Sequence, residues 1–212
     1  MNKIILASGN RGKLEELRAM LAELGIEVLS QGDFDIPGAE ETGATFVENA
    51  LLKAFHAAAH AGLPAIADDS GLCVDALDGA PGIHSARYAG DGGDAANNAK
   101  LLDALAGLPE ERRGSHFHST VVFVRHAADP APMVCQGDWH GRVLTAPRGE
   151  GGFGYDPLFW VPAENASAAE LPPGRKNAIS HRGQAMQALL MRLTQIRRLT
   201  TEAQSTQSMK SC

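Results

Sequence analysis

Two adjacent carboxylates, Asp68 and Asp69, interrupt the run Ala65-Ile66-Ala67-Asp68-Asp69-Ser70-Gly71-Leu72-Cys73-Val74, which otherwise has the apolar character of a buried strand. Ionised carboxylates in such a run must be hydrated, paired with a cation or bound to a metal. Side chains alternate along a strand, so both acids serve one cleft only if the strand ends there, and Ser70-Gly71 reads as that ending. The plainer alternative is a turn with two solvated acids. A second acidic pair, Glu40-Glu41, precedes Thr42-Gly43 in a loop. One of these carboxylates beside Asp69 would suit magnesium, which takes few carboxylates and completes its octahedron with phosphate oxygens. Solvated loop acids are the other reading.

Cations occur near both. The turn Ala7-Ser8-Gly9-Asn10-Arg11-Gly12-Lys13 joins an apolar strand to a helix start, where free backbone N–H groups and the helix dipole favour a phosphate. It is not a P-loop: Ala7 stands where the first glycine belongs, and Leu14 follows the lysine in place of Ser or Thr. An ordinary capped turn with a solvated lysine has the same pattern. Lys53 shares a polar helical stripe with Asn49, His56 and His60 that faces either solvent or the anion reached by Lys13. His56 and His60 have metal-ligand spacing, but Ala57 replaces the glutamate of a zinc protease. Ser85-Ala86-Arg87 offers a further cation on a loop.

Phe153-Gly154-Tyr155-Asp156 sets two aromatics on a flexible turn, suited to stacking on a planar base. Lys176, His181 and Arg182 add donors near a helix start. A ring carbonyl accepts hydrogen bonds from such donors, whereas an exocyclic amine in its place leaves buried groups unpaired, a steep form of discrimination. A core aromatic and a capped surface helix account for the same residues more plainly.

The elements that must position these groups alternate early. Residues 3 to 7 read as a buried strand, and Asn10 caps a helix to about Leu24 with Leu14, Leu17, Leu21 and Leu24 on its core face. Ile26 to Leu29 is a second strand. Thr45 and Glu48 form a capping box for a helix through about His60. After the acidic strand come a Gly/Pro-rich loop, Asp78 to Gly93, and a helix near Asp94 to Leu105. His116 to Arg125 and Met133 to Val143 are β-branched and aromatic, an antiparallel hairpin. A glycine-rich loop, Arg148 to Gly154, leads to a short strand, Leu158 to Val161, and Ser180 caps a last helix with Ala185, Leu189 and Leu193 in its core. The pattern predicts a mixed α/β sheet with flanking helices in two lobes around a central cleft. Residues 1–198 form one domain, and 199–212 a disordered tail.

At 212 residues with 44% hydrophobic and 21% charged residues, the composition is that of a globular protein. A net charge of -6 disfavours a broad nucleic-acid surface, and three cysteines without C-x-x-C spacing disfavour a disulfide framework or a zinc knuckle. No apolar run approaches ~18 residues, and the N-terminus lacks a signal-peptide pattern, so no membrane span and a cytoplasmic location are expected.

Ser8-Gly9-Asn10 with Lys13, Glu40-Glu41-Thr42-Gly43 ahead of Phe46-Val47-Glu48-Asn49-Ala50, Ala67-Asp68-Asp69-Ser70-Gly71-Leu72, Pro81-Gly82-Ile83 with Ser85-Ala86-Arg87-Tyr88, Gly152-Phe153-Gly154-Tyr155-Asp156-Pro157 and Ser180-His181-Arg182-Gly183 follow one another in this order. Together they resemble the Ham1/RdgB family of inosine/xanthosine triphosphate pyrophosphatases, from Lys3 to about Arg198. The resemblance implies an elongated mixed sheet, a homodimer, and Mg²⁺-dependent hydrolysis of non-canonical purine nucleoside triphosphates to the monophosphate and pyrophosphate. It implies that Ser8, Gly9, Asn10, Arg11, Gly12, Lys13 and Lys53 hold the triphosphate. Glu41 and Asp69, with Glu40 as a further candidate, would hold the metal, and Asp69 would activate water. Ser70 would touch substrate, while Phe153, Gly154, Tyr155, Asp156, Lys176, His181 and Arg182 would read a 6-oxo purine. His84 stands where the family pattern has a bulkier apolar or aromatic residue. A pyrophosphatase for pyrimidine triphosphates and a non-catalytic nucleotide sensor are the competing functions.

Overall fold

The computed structural model describes residues 2–9 and 11–210, without the side chains of Arg11, Glu16 and 199–210. Strand β1 (Lys3–Leu6), helix α1 (Arg11–Ala22) and strand β2 (Glu27–Ser30) form a β-α-β unit with parallel register from Lys3↔Glu27 to Leu6↔Ser30. The predicted cap at Asn10 lies outside the described residues. Leu17 and Leu21 are buried, and Leu14 and Leu24 pack against the same core. Helix α2 (Phe46–Ala61) starts in the predicted capping box: Thr45 Oγ1 accepts from the Glu48 N–H at 3.2 Å, and Glu48 Oε2 accepts from the Thr45 N–H at 3.0 Å.

Strand β3 (Ala65–Val74) runs parallel to β1 and antiparallel to β4 (Gly114–Val124), which continues through β5 (Met133–Val143), β6 (Phe159–Val161) and β7 (Ala166–Ser167). The sheet is seven-stranded and mixed, in the order β2-β1-β3-β4-β5-β6-β7. Helices α3 (Gly93–Ala104), α4 (Pro173–Ile179) and α5 (His181–Lys210) complete the fold. Helix α5 continues through 199–210, where the sequence pattern predicts a disordered tail, and residues 211 and 212 lie outside the described residues. Among the described residues no helix is long and apolar enough to cross a membrane.

One expectation is corrected. β3 does not stop at Ser70-Gly71; its ladder with β4 is unbroken from Ala65↔Val124 to Val74↔Ser115. Gly71 marks a close approach and not a turn, since a Cβ there would lie 2.3 Å from the Gly82 carbonyl and 2.6 Å from Ser85 Oγ. Asp68 and Asp69 therefore face opposite sides of the sheet. They remain linked through Lys53, which pairs with Asp69 and lines the same hollow as Asp68.

Three cores set the lobes. On one face α1 and α5 bury Leu17, Leu21, Ala185, Leu189 and Leu193 against Ile66, Val121 and Phe123. On the other, Ala50, Ala54, Ala57 and Ala58 of α2 pack on Ala65, Ala67, Val122 and Val124. Alanine on both partners brings the α2 axis close to β3, so the neighbouring Lys53 reaches the strand's acids. The second lobe buries Leu101 and Leu105 of α3 with Leu72, Val74, Phe117 and Phe159. Residues 68–71 cross the boundary between the lobes.

Candidate active site

Where β1 ends, a hollow of about 250 Å³ is lined by Ser8, Gly9, Lys13, Glu41, Lys53 and Asp68, among others. Its charges are already matched. Lys13 Nζ lies 2.6 Å from Asp68 Oδ2, while Lys53 Nζ lies 2.8 Å from Asp69 Oδ1 and 3.0 Å from Glu41 Oε1. Arg87 approaches Glu41 Oε2 at 3.5 Å. The hollow thus joins the turn after β1, the loop before α2, α2 itself and β3. Gly12 is exposed on α1 and Glu40 is exposed on its loop, and neither lines the hollow. Asn10 and the side chain of Arg11 lie outside the described residues.

The two acids titrate in opposite directions. Burial pushes Asp68 up, but the charges of Lys13, Arg182 and Lys53 outweigh it and hold the carboxyl below the usual range. Burial also pushes Asp69 up, and with the Glu41 charge it outweighs Lys53 and leaves the carboxyl above its usual value. Burial lowers Lys53, yet Asp69 and Glu41 more than restore it and raise its affinity for the proton. The two neighbouring carboxylates thus sit in environments that push their titration apart.

Asp69 Oδ2 is buried with no hydrogen-bond partner. A buried carboxylate oxygen left unpaired is costly, and a divalent cation shared with Glu41 is a partner of the right chemistry. Among the described residues no three of His, Cys, Asp and Glu cluster to hold a metal unaided. Two carboxylates with substrate oxygens completing the shell is the manner in which magnesium is held at phosphate sites. Asn49, given no site role from the sequence, is 2% exposed, and its Oδ1 accepts from the Gly43 N–H at 2.8 Å, tying the Glu41 loop to α2. Helical periodicity gave no sign of this tether, because its partner is loop backbone.

Further along β3 lies a cavity of about 220 Å³ whose lining includes Ser70, Phe117, Phe153, Lys176, His181 and Arg182. Gly154, Tyr155 and Asp156 also face it. His181, the first residue of α5, stacks on Phe117 with ring centroids 4.8 Å apart and planes 11° from parallel. Gly137 permits this docking, since a Cβ there would lie 2.2 Å from the His181 carbonyl. Ser180 caps the helix as predicted, with Oγ accepting from the Gly183 N–H at 3.2 Å. Burial, aided by the charges of Lys176 and Arg182, pushes His181 down to about 3, so the ring is neutral at physiological pH. Its Nδ1 is buried without a hydrogen-bond partner.

Asp156, 2% exposed, accepts from the Phe153 N–H at 2.8 Å and pairs with Lys176. Lys176 Nζ lies 4.6 Å from the Phe153 ring centroid. The two aromatics of this turn separate: Phe153 is 69% exposed at the cavity mouth, whereas Tyr155 is 4% exposed and its hydroxyl donates to the Ser85 carbonyl at 2.9 Å. Only Phe153 is placed to stack on a ligand. Asp94, Asn97 and Asn98 also serve these loops and were not singled out from sequence. The available signal was an Asn pair inside a helix, a position where asparagine is disfavoured unless its side chain has backbone to bind.

A model of the Ham1 family matches residues 4–192. A dITP/XTP pyrophosphatase of Vibrio cholerae serotype O1 is 56% identical over 190 residues, covering 89% of this chain and 95% of that protein. One from Escherichia coli O157:H7 is 54% identical over 191 residues, covering 90% and 97%. Among solved structures, a HAM1 protein from Coxiella burnetii superposes with a TM-score of 0.89 at 49% identity, covering 92% of this chain and 100% of that one.

Proposed function

This chain belongs to the Ham1 family, and from that premise and the geometry of the cleft we propose that it hydrolyses non-canonical purine nucleoside triphosphates, dITP, ITP and XTP, to the monophosphate and pyrophosphate. The observation that carries this reading is β3 between Asp68 and Gly71, which has lysines and acids of a phosphate hollow at one end and a cavity of neutral and cationic donors at the other. The chain is read as one two-lobed domain over 1–198, acting in the cytoplasm as a homodimer.

Lys13 and Lys53 neutralise the triphosphate, with backbone of the Ser8–Gly9 turn beside them. Glu41 and Asp69 would hold Mg²⁺, with Glu40 as an outlying candidate, and the bound ion would supply charge neutralisation for an in-line displacement. Water oriented by Asp69 attacks the α-phosphorus. The new P–O bond forms as the bond to the β-phosphate oxygen breaks, pyrophosphate leaves with that electron pair, and the Asp69 carboxylate takes the proton. Asp68 stays ionised to hold Lys13 in place.

Phe153 stacks on the base while Lys176, His181 and Arg182 present donors to a 6-oxo group. A 6-amino group meets those donors with its own hydrogens and leaves them unpaired, which is a larger penalty than a missing contact. The test is a panel of dITP, XTP, dATP, dTTP and dUTP with Mg²⁺, resolving pyrophosphate from orthophosphate. Pyrophosphate from dITP and XTP far ahead of the rest is expected. Preference for a pyrimidine triphosphate, orthophosphate as the product, or binding without turnover would overturn the reading.

A further inference from the structure

We infer that the first turns of α3 act as a selectivity clamp, with Asp94 and Asn98 as positioning residues that hold the base-reading loop rigid; the inference rests on the function proposed above. Asp94 and Asn98, one helical turn apart, grip both backbone groups of Gly154. The Gly154 N–H donates to Asp94 Oδ2 at 2.7 Å, and Asn98 Nδ2 donates to the Gly154 carbonyl at 2.9 Å. Gly154 lies between Phe153, exposed at the cavity mouth, and Tyr155, buried in its wall.

Between them on the helix, Asn97 fastens the opposite wall. Its Oδ1 accepts from the Ala89 N–H at 2.7 Å, and its Nδ2 donates to the carbonyls of Ala86 at 3.2 Å and Ser85 at 3.4 Å. The Ser85 carbonyl also receives the Tyr155 hydroxyl, so the loops at 82–89 and 152–156 meet at one oxygen. Two walls of the cavity are thereby fixed to a single helix start, neither by a bond within its own loop alone.

The composition of α3 bears this out. Asn98 Oδ1 is buried without a partner, a cost that packing alone would avoid with an apolar residue, so its bond to Gly154 is what the asparagine contributes. Rejection of a wrong base by unpaired donors requires those donors and the stacking ring to stay where they are. A slack loop lets the cavity widen and admits water to satisfy the donors. Loosening the clamp should therefore cost selectivity and base affinity before it costs turnover.

The experiment compares Asn98→Ala, Asp94→Ala and Asp94→Asn with the parent protein, each assayed with dITP and dATP in Mg²⁺, with hydrogen–deuterium exchange of segment 152–156 in parallel. For the two alanine variants KM for dITP should rise about tenfold, the loss of one hydrogen bond to the loop, with a much smaller change in kcat, and the dITP:dATP ratio of kcat/KM should fall about tenfold. Exchange in 152–156 should accelerate in both. Asp94→Asn keeps an acceptor for the Gly154 N–H and should recover most of the ratio. An unchanged ratio with faster exchange would overturn the clamp, as would a uniform loss of kcat on both nucleotides without rescue by Asp94→Asn. If the parent protein itself shows no preference for dITP, the function proposed above is what fails.

Discussion

The hollow at one end of residues 68–71 and the cavity at the other are built on different electrostatic designs. In the hollow every described charge already has a counter-charge: Lys13 with Asp68, Lys53 with Asp69 and Glu41. The cavity mixes states: Lys176 is paired with Asp156, while His181 is pushed down to about 3 and its buried Nδ1 has no hydrogen-bond partner. A polyanion can be received by exchange among charges that are already in place. A neutral base is distinguished by whether its hydrogen-bonding groups match the fixed donors that face it. On the proposed function, rate and selectivity would belong to the two ends of this strand segment, and substitutions should separate them.

Asp69→Asn should have the largest effect. On the proposed mechanism it would remove the proton acceptor and half of the cation's carboxylate pair, so kcat on dITP should fall by at least roughly a thousandfold while circular dichroism and melting stay near those of the parent. Parent-like turnover would take Asp69 out of the mechanism. Lys13→Met strikes the same side through stability as well, because it leaves Asp68, with a side chain 5% exposed, without its nearest cation. Breaking such a pair costs about 3 kcal/mol, read by urea unfolding, and KM should rise alike for every nucleotide tested. A nucleotide-dependent change in KM would blur the division between the two sides.

His181→Phe tests the cavity. It keeps the stack on Phe117 but removes a donor, so kcat/KM for dITP should fall about tenfold with dATP little affected. The same substitution has a pH signature. The folded ring titrates at about 3 and the unfolded one near 6.5, so between these values the unfolded chain binds the extra proton. Stability of the parent should fall as pH drops below about 6.5, by up to ~1.4 kcal/mol per unit, and this component should vanish in His181→Phe. Equal slopes for the two proteins in that window would show that His181 is accessible to protons in the folded state. Phe153→Ala should have the mildest consequence: KM for dITP up by roughly tenfold from lost stacking, with no measurable change in melting, since the ring is 69% exposed.

Local chemistry made much of this architecture legible. The capping box at Thr45 and Glu48, the leucine stripe of α1, the Met133–Val143 arm of the hairpin and the Ala185-Leu189-Leu193 stripe are each decided within a few residues. What escaped depends on distant partners. The length of β3 is set by pairing with β4, from Ser70↔Ser119 through Val74↔Ser115, and by the Gly82 carbonyl resting on Gly71. Helix α4 begins at Pro173, where proline at the first helical turns was a usable sign inside what otherwise reads as loop. Lys13, Glu41, Lys53 and Asp69 do converge, but through opposite faces of an uninterrupted strand and not through its end. Asn97 and Asn98 carried only a composition signal, because their partners lie on separate loops.

The separation of rate from selectivity is tested most directly with Asp69→Asn, by titrating dITP and dATP calorimetrically in Mg²⁺ and assaying pyrophosphate release on the same preparation. The parent's preference for dITP in binding, with release all but abolished, is the predicted result. Release at the parent's rate, or binding that no longer distinguishes the two bases, would contradict it.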